Sequence, residues 1–171
     1  FIFSLLALYS QVIYSYEVDI KADSLTYQQD SGIINASGNV KLDWLGKILQ
    51  ADNIQMRIQD KELEAEGHVV ISEQNNTIYS DKISYDIDNE SGTMEDTLAC
   101  SSSIYLRAEK MVKESSTTYR IENVVISNCD LDSPHSYAYA KEGIFIVEKK
   151  VTIYKATYYV GGVPVFYFPK Y

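Results

Sequence analysis

Few residues of this 171-residue chain are of a type that could do chemistry, and none forms a reactive set. Only two histidines are present. His68 falls on the polar side of an alternating segment, where a solvated side chain is expected, and His135 lies in the loop-like stretch DSPHS without a second ligand at metal-binding spacing. No glycine-rich phosphate loop and no GxSxG motif occur. The sequence therefore predicts no catalytic residues, no metal and no other cofactor.

The charge balance argues against two classes of partner. The chain carries 24 Asp and Glu against 15 Lys and Arg, a net charge of −9. A nucleic-acid partner requires clustered Lys and Arg, so none is expected. The same balance argues against simple electrostatic attachment to an anionic membrane surface. The carboxylates alternate with apolar residues, as they do on solvated strand faces.

A repeat with a period near 29 residues organises the elements of the chain. A small residue followed by a polar one recurs at Ala22-Asp23, Ala51-Asp52, Ser80-Asp81, Ala108-Glu109 and Ala140-Lys141. The polar members are 29, 29, 28 and 32 residues apart. The first three copies open with ADSLTY, ADNIQM and SDKISY and share their apolar positions. Such repeats are typical of stacked supersecondary units.

Within each repeat, apolar and polar residues alternate with a period of two. The pattern is clear from Ile34 to Leu42 and again from Leu63 to Ile71, and it predicts strands with one buried face. Gly38 and Gly67 interrupt these two strands and predict a bend or a bulge. We therefore expect an all-β chain of about a dozen short strands, in an open jelly-roll or solenoid-like roll of repeated antiparallel strands.

The apolar face of this roll has two interpretations. In a closed sandwich it is simply core, whereas in an open roll it lines a groove suited to acyl chains. The residues predicted for this face are Leu25, Tyr27, Ile34, Val40, Leu42, Ile54, Met56, Leu63, Val69, Ile71, Ile83 and Tyr85. An open roll also has free sheet edges, and the segment Tyr16–Tyr27 is predicted to offer one of them to another chain.

The two ends of the sequence differ from the repeats. Residues 1–15 are uncharged and mostly apolar, which favours a truncated signal peptide over a buried first strand. Residues 16–160 are predicted to form the roll. Residues 161–171, GGVPVFYFPKY, hold two of the three prolines and four aromatic residues. We expect this aromatic ending to lead into a further part of a longer protein.

Several of these features resemble the LptD/OstA family of lipopolysaccharide-assembly proteins, specifically its periplasmic N-terminal domain. They are the A-D-x-φ-x-Y repeats (φ is apolar), the G-N-V and G-H-V strand centres, the segment YRIENVVISNCDLDSPHSYAYA and the ending GGVPVFYFPKY. The resemblance runs from about Ala22 to Tyr171. It matches the family's junction motif, which precedes an outer-membrane β-barrel, to Gly162, Pro164, Tyr167 and Pro169.

The sequence departs from the family pattern at two places. Ser136 stands where the family usually has tryptophan, and Pro169-Lys170-Tyr171 replaces a simple Pro-Tyr ending. Both departures concern local packing.

The resemblance implies a transport component and not an enzyme. It implies lipopolysaccharide as the ligand, an LptA-like periplasmic bridge protein paired to the N-terminal edge, and an LptE-like lipoprotein plug contacted through the barrel. The location implied is the outer membrane, with this segment in the periplasm. Two alternatives stay open: a free-standing bridge protein of the same superfamily, and an exported structural β-solenoid or adhesin without a lipid ligand.

The two cysteines, Cys100 and Cys129, are candidates for disulfides, which persist in exported proteins. Their separation of 29 residues equals one repeat. Residues in equal phase on adjacent strands lie within disulfide reach, so the spacing favours an internal Cys100–Cys129 bridge. The resemblance implies a different partner for Cys129, a cysteine of the barrel. Both pairings stay open at this point.

Overall fold

Twelve antiparallel strands form one sheet in the computed structural model, which describes residues 18–44, 47–73, 76–101, 104–115, 117–130, 132–146 and 150–170. The strands are β1 Val18–Lys21, β2 Ser24–Gln28, β3 Ile33–Trp44, β4 Lys47–Arg57, β5 Glu62–Glu73, β6 Asn76–Asp86, β7 Ser91–Ser101, β8 Ile104–Lys113, β9 Thr118–Ser127, β10 Ser136–Ile146, β11 Lys150–Val160 and β12 Val163–Lys170. From β3 to β12 each strand pairs with the next, while β1 and β2 both pair with β3. The predicted all-β roll of about a dozen antiparallel strands is confirmed.

Every second long strand is bent near its middle by a residue with left-handed backbone. These bend residues have φ between 46° and 53° and are Asn39, His68, Asp96, Asn123 and Lys155. A left-handed backbone is unfavourable for residues other than glycine. The bends therefore need compensating contacts, and neighbouring strands supply them at Asn39, His68 and Asn123.

A polar side chain across from the bend residue holds each of the first two bends. Asn39 Nδ2 donates a hydrogen bond to Asp23 Oδ2 at 2.8 Å, and His68 Nδ1 lies 2.8 Å from Asp52 Oδ2. We call these carboxylate residues clamp residues. Both are polar second residues of the 29-residue repeat. Glu109 is a third clamp residue, since it accepts a hydrogen bond from Asn123 Nδ2. At the other two bends the register sets Asp81 opposite Asp96 and Lys141 opposite Lys155.

Glycine makes room for the clamp in the first two repeats. Gly38 and Gly67 each have φ of +76°, and a Cβ atom at Gly67 would lie 2.4 Å from Asp52 Oδ2. The ladder shifts register beside both glycines because β3 and β5 each hold one extra residue. The predicted bend or bulge at these glycines is confirmed. Strand β7 pairs with β6 without such a shift, which accounts for the shorter step of 28 residues between Asp81 and Glu109.

The core lies on one face of the sheet, which we call the inner face. Its residues align across the strands in rows. One row, set by the strand register, runs through Leu25, Ala36, Ile54, Ala65, Ile83, Met94, Met111, Ile121, Gly143 and Ile153. Small side chains beside the bends form the most buried row, and its members from β7 onward are Thr97, Ala108, Val124, Ala140 and Ala156.

Substitution of Gly67 tests whether the clamp constrains the bend. Gly67→Ala is expected to lower the free energy of unfolding by more than the cost of left-handed strain alone, about 1–2 kcal/mol, because its Cβ also meets Asp52. Gly162→Ala is the matched control, since Gly162 has φ of +78° and no atom within 4 Å of an added Cβ. Urea unfolding measures both variants. Equal losses would contradict a constraining clamp.

The His68–Asp52 clamp predicts a pH-dependent stability. The hydrogen bond to Asp52, followed by the charge of Asp52, raises the pKa of His68 above its usual 6.5. A raised folded-state pKa contributes stability that is fully present below the unfolded value of 6.5 and is lost as pH rises through the folded value. Wild type should therefore exceed His68→Gln in Tm at pH 5.5, and this difference should shrink at pH 8.5. A difference that does not change with pH would contradict the charged clamp.

Candidate functional site

The twelve residues predicted for the apolar face all lie in strands β2 to β6. The register places them in shared rows, such as Tyr27–Ile34–Met56–Leu63–Tyr85. Six of the twelve are buried, namely Val40, Leu42, Ile54, Leu63, Val69 and Ile83. The other six are half-buried or exposed and lie in the rows farther from the bends or at the N-terminal edge. They are Leu25, Tyr27, Ile34, Met56, Ile71 and Tyr85.

Burial on the inner face therefore falls from the bends towards the open margins. Val40 and Ile54 are core residues, at 1% and 2% exposure, and a ligand does not reach them without displacing packed side chains. Met56 and Ile71 pack on the same core but stay half-exposed. The closed-core interpretation therefore holds beside the bends, whereas a groove for acyl chains stays a prediction. The part beside the bends is closed core, and accessible apolar surface lies at its margins.

The inner face continues beyond the predicted residues into strands β7 to β12. Sequence reasoning missed this half, which includes Met94, Leu106, Met111, Ile121, Ile126 and Ile153. In these strands, buried residues on the two sides of a bend are three positions apart, as at Ile121 and Val124, which flank the bend residue Asn123. A step of three moves the buried residues from even to odd positions or the reverse, so a search for strict two-residue alternation no longer finds them. The strand pairs Met94↔Met111 and Met111↔Ile121 show that the row itself is unbroken.

A lysine and a tyrosine meet at one margin of the inner face. Lys113 Nζ donates to the Tyr85 hydroxyl at 3.1 Å and lies 5.0 Å from the centre of its ring. Burial, with a smaller contribution from the charge of Glu90, raises the pKa of the Tyr85 hydroxyl, so the side chain stays neutral near pH 7. Gly92 lies beneath this ring, and an added Cβ there would meet Tyr85 Cδ2 at 2.9 Å.

The C-terminal end of the inner face is its most open part. A cavity of about 330 Å³ lies between β10, β11 and β12 and is lined by Ala138, Ile153, Ala156, Tyr158, Phe166 and Phe168. Every residue of β12 is exposed, including Phe166 at 64%. Apolar surface of this extent on an end strand is typical of an interaction site.

The segment predicted as a junction forms the last strand of the same sheet. A two-residue turn at Gly161 and Gly162, both with positive φ, joins β11 to β12. Within β12, Pro164 pairs with Tyr159 and Tyr167 pairs with Thr157. The proposed boundary after residue 160 therefore coincides with a hairpin, and the connection to a barrel stays a prediction. The predicted signal peptide, residues 1–15, lies outside the described residues.

At the opposite end, β2 has one paired side and one free side. Asp23 N–H donates to Gly38 O at 2.9 Å. Because donors alternate along an antiparallel strand, the N–H groups of Leu25 and Tyr27 point towards β3 and that of Thr26 points away. Among the described residues, no strand pairs with this outer side. The free edge predicted for Tyr16–Tyr27 is therefore present along β2.

The structure corrects the geometric argument for a Cys100–Cys129 disulfide. One repeat contains two strands, so residues one repeat apart are separated by an intervening strand. Cys100 in β7 pairs with Tyr105 in β8, and Tyr105 pairs with Ser127 at the end of β9. Two strand spacings are roughly 9.6 Å, beyond disulfide reach, and both thiols are free. The pairing of Cys129 with a barrel cysteine stays a prediction implied by the resemblance.

The described residues contain neither a metal cluster nor a membrane-spanning helix. No group of three His, Cys, Asp or Glu side chains in them could hold a metal ion. No helix among them has the length and apolar character needed to cross a bilayer. What the described geometry provides is a continuous apolar face, an aromatic end strand and a free strand edge.

Comparison with known proteins gives two informative similarities. The LPS-assembly protein LptD of Aliivibrio fischeri is 28% identical over 155 residues, which cover 88% of this chain and 19% of that protein. LptH, described as the LptA homologous periplasmic component of the conserved lipopolysaccharide transport device from Pseudomonas aeruginosa, superposes with a TM-score of 0.53. Its 13% identity, over 58% of this chain and 76% of its own, shows the fold alone. No family model matches the chain.

These similarities bear on the predicted resemblance and fold. Similarity to LptD along most of the chain confirms the resemblance, and the LptH structure confirms an LptA-like jelly-roll. The chain spans about a fifth of the length of the LptD relative.

Proposed function

We propose that this chain, which resembles LptD over most of its length, takes part in lipopolysaccharide transport to the outer membrane. The observation that carries the proposal is the unbroken apolar inner face, which runs in register through every long strand and is most exposed at the C-terminal end. A lipid with several acyl chains cannot cross water unaided, because each buried CH₂ is worth about 0.8 kcal/mol. The chain would act as a conduit, without catalysis.

The accessible margins of the inner face would shelter the acyl chains. Met56 and Ile71 pack against the buried core and remain half-exposed, so a lipid tail laid along them would cover apolar surface without opening the core. The closed rows beside the bends would keep the roll rigid. The C-terminal cavity would direct the lipid onward, towards a barrel and an LptE-like plug in the complete protein.

The free edge of β2 would accept the last strand of an LptA-like bridge protein. Its outward N–H groups are unpaired within the described part of the chain, and main-chain hydrogen bonds supply much of the affinity in strand addition. Leu25 and Tyr27 are 53% and 57% exposed at this edge. A strand added here would cover them and extend the apolar face from one protein into the next.

Photo-crosslinking tests the position of the lipid. A photoreactive residue at Met56 or Ile71 should capture lipopolysaccharide, because both positions lie on accessible inner face. Lys41 is the control, since it is exposed in β3 on the opposite face. Gel mobility and lipid immunoblotting measure the adducts. Labelling at Met56 and Ile71 no stronger than at Lys41 would contradict the conduit.

Proline at Thr26 tests the docking edge. Thr26→Pro removes an outward N–H donor and should weaken binding of the LptA-like protein encoded by the same genome by about tenfold, the loss of one or two interchain hydrogen bonds. Thr26→Val keeps the donor and should bind as wild type does. Isothermal titration calorimetry measures the affinities, with circular dichroism to verify folding. A folded proline variant with undiminished affinity would place the contact elsewhere.

A further inference from the structure

One row of the inner face carries a single charged side chain. By strand register this row runs through Tyr27, Ile34, Met56, Leu63, Tyr85, Gly92, Lys113, Tyr119 and Phe145. Of these described residues, Lys113 alone carries a charge. The next row towards the bends, from Leu25 to Ile153, carries none. A charge on an apolar face costs free energy unless another group compensates it, so Lys113 is unfavourable there without an anionic partner.

Within the described part of the chain, no carboxylate neutralises Lys113. The residue is half-buried and forms no ion pair within 4 Å. The next residue, Glu114, is bound to Arg120 at 2.7 Å. Lys113 Nζ instead donates to the Tyr85 hydroxyl at 3.1 Å and lies 5.0 Å from the centre of its ring. An ammonium group has three donors, so this contact leaves two for an anionic ligand.

Gly92 makes the contact between Lys113 and Tyr85 possible. It lies between them in the row, since it pairs with Tyr85 on one side and with Lys113 on the other. An added Cβ at Gly92 would meet Tyr85 Cδ2 at 2.9 Å, so a larger residue would push the ring away. The missing side chain lets the ring and the ammonium group meet, and the phenol then fixes where the ammonium group lies.

A second lysine lies on the opposite margin of the inner face. Lys47 pairs with Trp44 and stands two residues before the buried Leu49, so strand alternation puts it on the inner face. Burial and the charge of Glu90 raise the pKa of the Tyr85 hydroxyl, and the charge of Lys47 acts in the opposite direction. The two margins therefore come near each other here, with a cation on each.

An acyl lipid with a phosphate group fits this arrangement. Lys113 and Met56 lie in the same row of the same face, four strand spacings apart, which is roughly 19 Å. An acyl chain that follows the row from Met56 would therefore bring its head group to Lys113. A phosphate monoester carries a charge of about −1.5 to −2 near pH 7 and has three strong acceptor oxygens, which match the remaining donors of an ammonium group.

We propose that Lys113 binds the phosphate group of an acyl lipid whose tail lies along the row of Met56. The proposal rests on the proposed transport function and names a head-group contact within the same face. Tyr85 would hold the ammonium group in position, and Lys47 would add attraction from the opposite margin. The contact would orient the lipid, with its tail on the inner face and its head group at the opening between the margins.

Calorimetric titration with dodecyl phosphate, below its micelle concentration, tests the site. Wild type should bind dodecyl phosphate more tightly than dodecyl maltoside, which has the same tail and no charge. Lys113→Met keeps an unbranched apolar side chain and removes the charge. It should weaken dodecyl phosphate binding about tenfold, the loss of one charge-assisted hydrogen bond, and leave dodecyl maltoside binding unchanged. Lys113→Gln is a second neutral variant with the same expectation.

Lys110→Met is the matched control. Lys110 is exposed in the same strand, β8, and the register places it between Glu95 and Glu122 on the opposite face. This variant removes the same charge from the chain and should leave both affinities unchanged. The readout is the ratio of the two affinities, because a variant that only loosens the fold lowers both of them. Circular dichroism verifies that each variant is folded.

Three results would overturn the phosphate site. The first is a preference for dodecyl phosphate that survives in both folded Lys113 variants. The second is an equal loss of preference in Lys110→Met, because total charge and not position would then decide binding. The third is inorganic phosphate that binds as tightly as dodecyl phosphate, because the site would then recognise a free anion and not a lipid.

The phosphate site and the conduit fail in different ways. Crosslinking at Met56 and Ile71 above the level at Lys41, together with Lys113 variants that keep the phosphate preference, would reject the site and leave the conduit standing. Crosslinking no stronger than at Lys41, together with a preference that depends on Lys113, would reject the conduit and keep the phosphate site.

Discussion

The left-handed bend in every second long strand is the constraint on which the rest of the roll depends. A flat strand alternates its side chains, whereas a bent one turns the residues on both sides of the bend towards the same face. The residues Ala108, Val124, Ala140 and Ala156, which form the row beside the bends, are almost fully buried. Asp23 and Asp52 hold the first bends by hydrogen bonds, and the repeated sequence pattern follows from this requirement.

The bends also decide which part of the inner face is core and which part is accessible. Residues next to a bend are enclosed by both halves of the strand, so Val69 and Val124 are almost fully buried. Residues near the strand ends have cover on one side only, as Ile71 and Ile126 do. One sheet thereby combines a buried core with accessible apolar surface, and neither requires a separate domain.

The sequence predicted the strands, the repeat and the bulges because each has a local cause. Gly38 and Gly67 stand beside carboxylates that leave no space for a Cβ atom. Glycine therefore recurs at this position in the first two repeats, where it can be recognised in the sequence. The inner face of β7 to β12 escaped prediction because three-residue steps across the bends interrupt the alternation. The separation of Cys100 and Cys129 in space was not predicted correctly, because the length of a repeat does not show how many strands the repeat contains.

Contacts between strands are confined to neighbours. No Cα atom of a described strand lies within 8 Å of a strand with which it is not paired. Such a molecule behaves as a one-dimensional array, whose stability is a sum of repeat and interface contributions. Its folding can start at any hairpin and proceed strand by strand, without a long-range contact that must form first. The chain can therefore acquire structure in the order in which it is synthesised.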